Sequence, residues 1–238
     1  MRRTRWAGLN ITLTGGTDRE GGGTGPVVVL MHGYGAPGDD LVGLYRVLNV
    51  PREVRFVFPE APLAPPELAA FGGRAWWPID IAAMQAAQAQ GRPRPRTAPP
   101  ELPALREQLN ALLDELTREL GVGSEHVFLG GFSQGSMLAC DVVLHATRPF
   151  AGMVLLSSAL LAADEWLPLM AARKGLPVLQ THGEADGILP YAGAVELRDA
   201  LQAAGLDVTW ISFRGGHELP SSVLDGLTQF ITARAHAG

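Results

Sequence analysis

Val127-Phe128-Leu129-Gly130-Gly131-Phe132-Ser133-Gln134-Gly135-Ser136-Met137-Leu138-Ala139-Cys140 is the stretch on which the fold turns. An apolar run at 127–129 suits a buried strand, and Gly-x-Ser-x-Gly at 131–135 follows it directly. Helix-favouring residues come next, so the reading is strand, sharp turn, helix, with Ser133 at the turn. Such a turn forces the serine into a strained backbone conformation, and glycines at 131 and 135 leave room for neighbouring backbone. The Ser133 hydroxyl then projects at the carboxyl end of a sheet, above a helix N-terminus whose dipole favours developing negative charge. The plainer alternative is a glycine-rich strand-to-helix turn with an incidental serine.

Outward from that stretch, short apolar runs alternate with longer segments of helical period. Val27-Val28-Val29-Leu30-Met31 reads as a fully buried strand, as do 54–58, 127–129, 153–156, 177–180 and 208–213. Between them, 101–120 carries leucines at 102, 105, 109, 112, 113, 116 and 120, a 3/4 spacing that makes one apolar stripe. Pro103 sits in its first turn and Gly121 caps its end. A helix from Tyr191 ends on Gly205, and Pro220-Ser221-Ser222 opens a last one with Val223, Leu224, Leu227, Phe230 and Ile231 inward. Strands alternating with helices predict an α/β class: a mostly parallel central sheet with helices on both faces. A further strand is expected at about 6–14, joined to the first buried strand by a glycine-rich turn at 15–25. A short helix at 82–90 is expected to feed a Pro/Arg-rich surface loop at 92–103. No repeat and no second hydrophobic core interrupts 1–238, so one domain without a large cap is expected.

Composition sets the function classes. The 238 residues are 47% hydrophobic and 18% charged, which excludes disorder over most of the length. With 24 acids against 19 bases the net charge is -5, opposite to a general nucleic-acid binder. Cys140 is the single cysteine, so neither an internal disulfide nor a cysteine metal site can form. No apolar run approaches the roughly 20 residues of a membrane span. The basic start Met1-Arg2-Arg3-Thr4-Arg5 lacks the apolar core of a secretory signal, and a cytoplasmic location is expected.

A serine nucleophile needs a base, and the base an orienting carboxylate. In this architecture reacting groups gather beyond the carboxyl ends of parallel strands, in the chain order Ser, Asp or Glu, His. His217 follows the strand 208–213 at that end, whereas His126 precedes its strand, His145 falls within a helix and His236 in the tail. Asp186 follows the strand 177–180; Glu184 and Glu218 are near it but read as loop carboxylates, and Asp141 and Asp207 are badly placed. An oxyanion needs two backbone donors. Gln134 N–H supplies one, and the glycine-rich stretch His32-Gly33-Tyr34-Gly35-Ala36-Pro37-Gly38 leaves the first buried strand where Tyr34 N–H would supply the other. No phosphate-binding GxxxxGK[ST] or GxGxxG pattern is present. Asp39 or Asp40 reads as the N-cap of a helix beginning near Leu41. Leu63, Trp76, Trp77 and Ile79 are candidates to line an apolar groove for an acyl chain, or else to pack against the sheet.

Several motifs together carry a resemblance. His32-Gly33-Tyr34-Gly35 with Gly38 and Asp40, Arg74-Ala75-Trp76-Trp77-Pro78-Ile79-Asp80, Gly130-Gly131-Phe132-Ser133-Gln134-Gly135, His182-Gly183-Glu184-Ala185-Asp186 and Gly216-His217-Glu218 occur in one order over about residues 25–235. They resemble the phospholipase/carboxylesterase family of α/β-hydrolases, which includes acyl-protein thioesterases and bacterial carboxylesterases. The resemblance implies Ser133 as nucleophile, Asp186 and His217 as its partners, and the amides of Tyr34 and Gln134 as oxyanion hole; no metal or cofactor is expected. Tyr34 departs from it, since leucine is common there. The expected activity is cleavage of hydrophobic acyl esters or thioesters through an acyl-enzyme, with a small-molecule or lipid-like substrate and a monomer or homodimer as the working form. The alternatives are a lactone or dienelactone hydrolase, an acyltransferase, or a non-catalytic binding protein on the same scaffold.

Overall fold

The computed structural model describes residues 1–83, 86, 90 and 97–235. The expected helix at 82–90 lies for the most part outside these residues, and the Pro/Arg-rich loop at 92–103 lies partly outside them.

Apolar runs become strands of one sheet. Among the described residues it has eight strands in the order β1-β2-β4-β3-β5-β6-β7-β8. The hairpin β1 (Arg2–Trp6) and β2 (Leu9–Gly15) joins antiparallel to β4 (Arg55–Pro59). From β4 the strands β3 (Val27–Met31), β5 (Val127–Phe132), β6 (Gly152–Leu156), β7 (Pro177–Gly183) and β8 (Asp207–Phe213) run parallel. Alternation explains the continuous apolar spelling: Val27, Val29 and Met31 enter one core while Val28 and Leu30 enter the other.

Helices supply the opposing surfaces. They are α1 (Leu44–Val47), α2 (Leu102–Leu120), α3 (Gln134–His145), α4 (Ala163–Met170), α5 (Tyr191–Ala203) and α6 (Ser221–Ala235). The leucine stripe of α2 buries Leu102, Leu105, Leu109, Leu112, Leu113 and Leu116, each side chain contributing about 2 kcal/mol. They share a core with Leu138 and Val142 of α3, Trp166 of α4 and Leu197 of α5. On the other face Val223, Leu227, Phe230 and Ile231 of α6 pack with Phe56, Phe128 and Leu156. Gly121 ends α2 at φ 57, as its position after the stripe predicts. The architecture is that of an α/β-hydrolase.

The structure corrects the sequence reading in three places. The expected strand at 6–14 is the second arm of a hairpin, because Ala7 and Gly8 both take positive φ (48° and 78°) and reverse the chain. The basic residues Arg2, Arg3 and Arg5 thereby line the sheet's edge, where charge discourages pairing with another chain. Second, β7 continues beyond residue 180 through Thr181, His182 and Gly183, paired with β8 up to Gly183 and Phe213. Thr181 and His182 are polar and fully buried at the strand's carboxyl end, where apolar patterning gives no cue. Third, Asp39 precedes a short 3-10 turn (Asp40–Gly43) but makes no capping bond, and instead faces Arg3 at 3.8 Å.

One ion pair fastens α2 to α3. Arg106 donates to both oxygens of the fully buried Asp141, at 2.6 and 3.0 Å, and Trp166 Nε1–H donates to Asp141 at 2.9 Å. Asp141, His145 and Glu165 bring ligand-type atoms within 4.8 Å of one another, but Arg106 already reaches both carboxylates and supplies the positive charge a cation would bring. Arg106→Ala should cost about 3–5 kcal/mol of stability by leaving a buried carboxylate without its cation, read as a lowered urea midpoint. An unchanged midpoint would contradict this assignment.

Candidate active site

The elbow is built by steric exclusion. Ser133 follows β5 directly, with φ 53° and ψ -116°, a conformation that L residues rarely adopt and that is held only by its surroundings. Its N–H donates to Leu156 O at 2.9 Å, and Ser136 Oγ donates to Ser133 O at 2.7 Å. The glycines on either side leave no room for a side chain: a Cβ at Gly131 or Gly135 would lie 2.4 or 2.2 Å from Met31 O. The elbow is thus pressed against the end of β3, which delivers the following loop to Ser133. A Cβ at Gly33 would stand 3.3 Å from Ser133 Cβ, so Tyr34 begins one residue beyond direct contact.

Two buried side chains shape that loop. His32 donates from Nδ1 to Gly33 O (2.8 Å) and accepts from Ala61 N–H at Nε2 (3.1 Å), while burial pushes its pKa down and keeps it neutral. Gln134 uses its side chain as a clamp, accepting from Trp76 N–H and donating to Trp77 O, both at 2.8 Å. Its own N–H lies in the first turn of α3, where amides have no partner within the helix. Tyr34 hydroxyl donates to Glu67 at 3.2 Å, at the surface.

Asp186 stands three residues past β7 and His217 four past β8. Glu184 N–H and Ala185 N–H donate to Phe213 O and Gly215 O, each at 2.9 Å, so the two loops are stitched together. His217 Nδ1 lies 2.7 Å from Asp186 Oδ2, and Asp186 Oδ1 accepts from Ile188 N–H (2.9 Å) and Leu189 N–H (2.8 Å). The Phe132 ring, next to Ser133, packs on the His217 imidazole with centroids 4.7 Å apart. Ser133, Asp186 and His217 therefore sit at the carboxyl ends of β5, β7 and β8 in one neighbourhood. Glu184 accepts from Ser212 Oγ and Glu218 from Gly216 N–H, the loop roles expected of them.

The four acyl-groove candidates separate. Trp76 and Trp77 are 1% and 3% exposed and belong to the core, and the Trp76 indole N–H is spent on His32 O at 3.0 Å. For these two, packing against the sheet accounts for the position. Ile79 is half-buried against the same core, and Leu63, tied to Ala75 by two backbone bonds, is 38% exposed. Cys140 is fully buried in α3 and burial pushes its thiol pKa well up, as fits an inert small side chain. Sequence reading did not find the side-chain roles of His32 and Gln134; their only signal was adjacency to the glycine loop and the elbow serine.

Fold and site together define an α/β-hydrolase with a serine at its elbow. The chain belongs to the phospholipase/carboxylesterase family, whose pattern matches residues 20–235. It is 32% identical over 118 residues to acyl-protein thioesterase 1 of Neurospora crassa (48% of each chain), and 30% identical over 129 residues to lysophospholipase-like protein 1 of Mus musculus (53% of this chain, 54% of the other). The chain thus spans about half the length of these relatives. Among solved structures it resembles esterase PE8, with a TM-score of 0.76 at 26% identity, covering 94% of this chain and 99% of the other. Among the described residues, no helix is long and apolar enough to cross a membrane.

Proposed function

We propose that the protein is a serine hydrolase that cleaves carboxylic esters or thioesters of hydrophobic acyl groups through an acyl-enzyme. The observation that carries this reading is the 2.7 Å contact between His217 Nδ1 and a carboxylate fixed by two backbone amides, beside a serine on a strained elbow. An ionised carboxylate only accepts, so Nδ1 bears the proton and Nε2 keeps the lone pair a base requires. His217 Nε2 takes the proton from Ser133 as its Oγ attacks the acyl carbonyl. The tetrahedral oxygen is held by the N–H groups of Gln134 and Tyr34, which lie on the two chain segments pressed together at the elbow. His217 then protonates the leaving alcohol or thiol, water repeats the attack on the acyl-enzyme, and Asp186 keeps the imidazole oriented throughout. Exposed Leu63 and half-buried Ile79 are the surfaces offered to the acyl chain. The esterase and thioesterase relatives support this substrate class.

The test is a panel of aryl esters from acetyl to palmitoyl, thioesters of the same acids, and simple lactones. Turnover of esters or thioesters that rises with acyl length beyond acetyl is expected. Turnover confined to lactones, or none on any substrate, would contradict the proposal.

A further inference from the structure

Asp186 touches a second imidazole. His182 Nε2 lies 3.4 Å from Asp186 Oδ2, the same oxygen that His217 approaches, and both His182 and the Asp186 carboxylate are fully buried. His182 Nε2 is also 2.8 Å from Leu189 O. A carbonyl oxygen accepts only, so the His182 proton sits on Nε2 and leans on both oxygens. Leu189 closes the circuit, since its N–H donates to Asp186 Oδ1 at 2.8 Å. The backbone of one residue, Leu189, thereby ties the carboxylate and the second imidazole to each other.

Burial pushes the His182 pKa down, so the ring is neutral and lends Asp186 a dipole without cancelling the charge that holds His217. The groups facing the ring are Asp186, His217 and Tyr191, whose ring centroid is 6.3 Å away. His182 satisfies the buried Leu189 carbonyl, but it does so at a cost. Its Nδ1 is buried and without a hydrogen-bond partner among the described residues, and an orphaned acceptor costs free energy that an apolar side chain of similar size would not.

We propose that His182 is a positioning residue for the reaction: its Nε2–H, shared between Leu189 O and Asp186 Oδ2, sets the plane of the carboxylate that orients His217. The inference rests on the serine-hydrolase reading above. His182→Leu removes the orphaned Nδ1 but takes the donor from buried Leu189 O, so it should fold with a modestly lowered Tm, lose about tenfold in kcat, and keep its KM, because the substrate does not touch this ring. His182→Gln, whose amide nitrogen reaches the Nε2 position, should recover most of that loss, and His182→Asn, whose nitrogen stops at the Nδ1 position, should not. In an Asp186→Asn background His182→Leu should cost nothing further, since the carboxylate it orients is gone. Should the leucine variant fail to fold, the Gln–Asn comparison carries the test by itself. Equal kcat in wild type and His182→Leu, equal kcat in the Gln and Asn variants, or an undiminished loss in the Asp186→Asn background would overturn the inference. Ser133→Ala is the control that separates the two readings. If it hydrolyses esters like wild type, the serine mechanism fails and this inference falls with it. If it is inactive while His182→Leu matches wild type, only the role of His182 fails.

Discussion

Ser133→Ala should lower kcat on a hydrophobic aryl ester by about 10⁵- to 10⁶-fold while leaving the thermal midpoint nearly unchanged. The substitution removes one hydroxyl and keeps the backbone demand, since alanine at φ 53° is strained to much the same degree as serine. The bonds that hold the elbow, from Ser133 N–H to Leu156 O and from Ser136 Oγ to Ser133 O, involve backbone atoms of residue 133 and survive. What disappears is the proposed attacking atom. About 10³-fold acceleration over water should remain, because the oxyanion donors proposed at Gln134 and Tyr34 are left in place. Steady-state kinetics with a differential scan on the same sample checks both halves. Near-wild-type turnover in a folded variant would remove Ser133 from the chemistry.

Asp186→Asn should cost about 10⁴-fold in kcat for a different reason, the wrong imidazole tautomer. The asparagine carbonyl can take the place of Oδ1 and continue to accept from Ile188 and Leu189 N–H, which keeps the loop in place. Its amide nitrogen then occupies the position of Oδ2, 2.7 Å from His217 Nδ1, and donates where the carboxylate accepted. His217 must answer with an unprotonated Nδ1, which moves its proton to Nε2 and leaves that nitrogen without the lone pair a base requires. The loss should appear in kcat with little change in KM. A variant within tenfold of wild type would mean that the 2.7 Å contact has no part in catalysis.

Much of this arrangement is spelled in the chain, and the reasons differ from part to part. The parallel strands are legible because both of their faces are covered, so Val27-Val28-Val29-Leu30-Met31 needs no alternation to be recognised. Helix α2 is legible because one stripe of leucines meets the core and a glycine stops it. Gly131 and Gly135 are legible as an elbow because a side chain at either would strike the end of β3. Illegible parts share a cause: polar residues whose partners are distant in sequence. Thr181 and His182 extend β7 by pairing with β8, a contact no local pattern encodes. Gln134 clamps a loop 57 and 58 residues away. The β1–β2 hairpin is hidden by its arginines, which look unlike a strand until Ala7 and Gly8 are seen as the reversal between two paired edges. Trp76 and Trp77 show the opposite hazard, since aromatic side chains near a site invite a binding role although their burial is that of the core.

The most direct measurement is covalent capture of the nucleophile. A fluorophosphonate reacts with a serine hydroxyl only when a neighbouring base and a pair of oxyanion donors activate the exchange. Incubation of the purified protein should add a single phosphonyl group, mapped by peptide mass spectrometry to Ser133, with loss of esterase activity in parallel. The adduct should be absent in Ser133→Ala and slow to form in Asp186→Asn. A protein that hydrolyses esters yet stays unmodified at Ser133, or is phosphonylated on another residue in step with inactivation, would contradict the account.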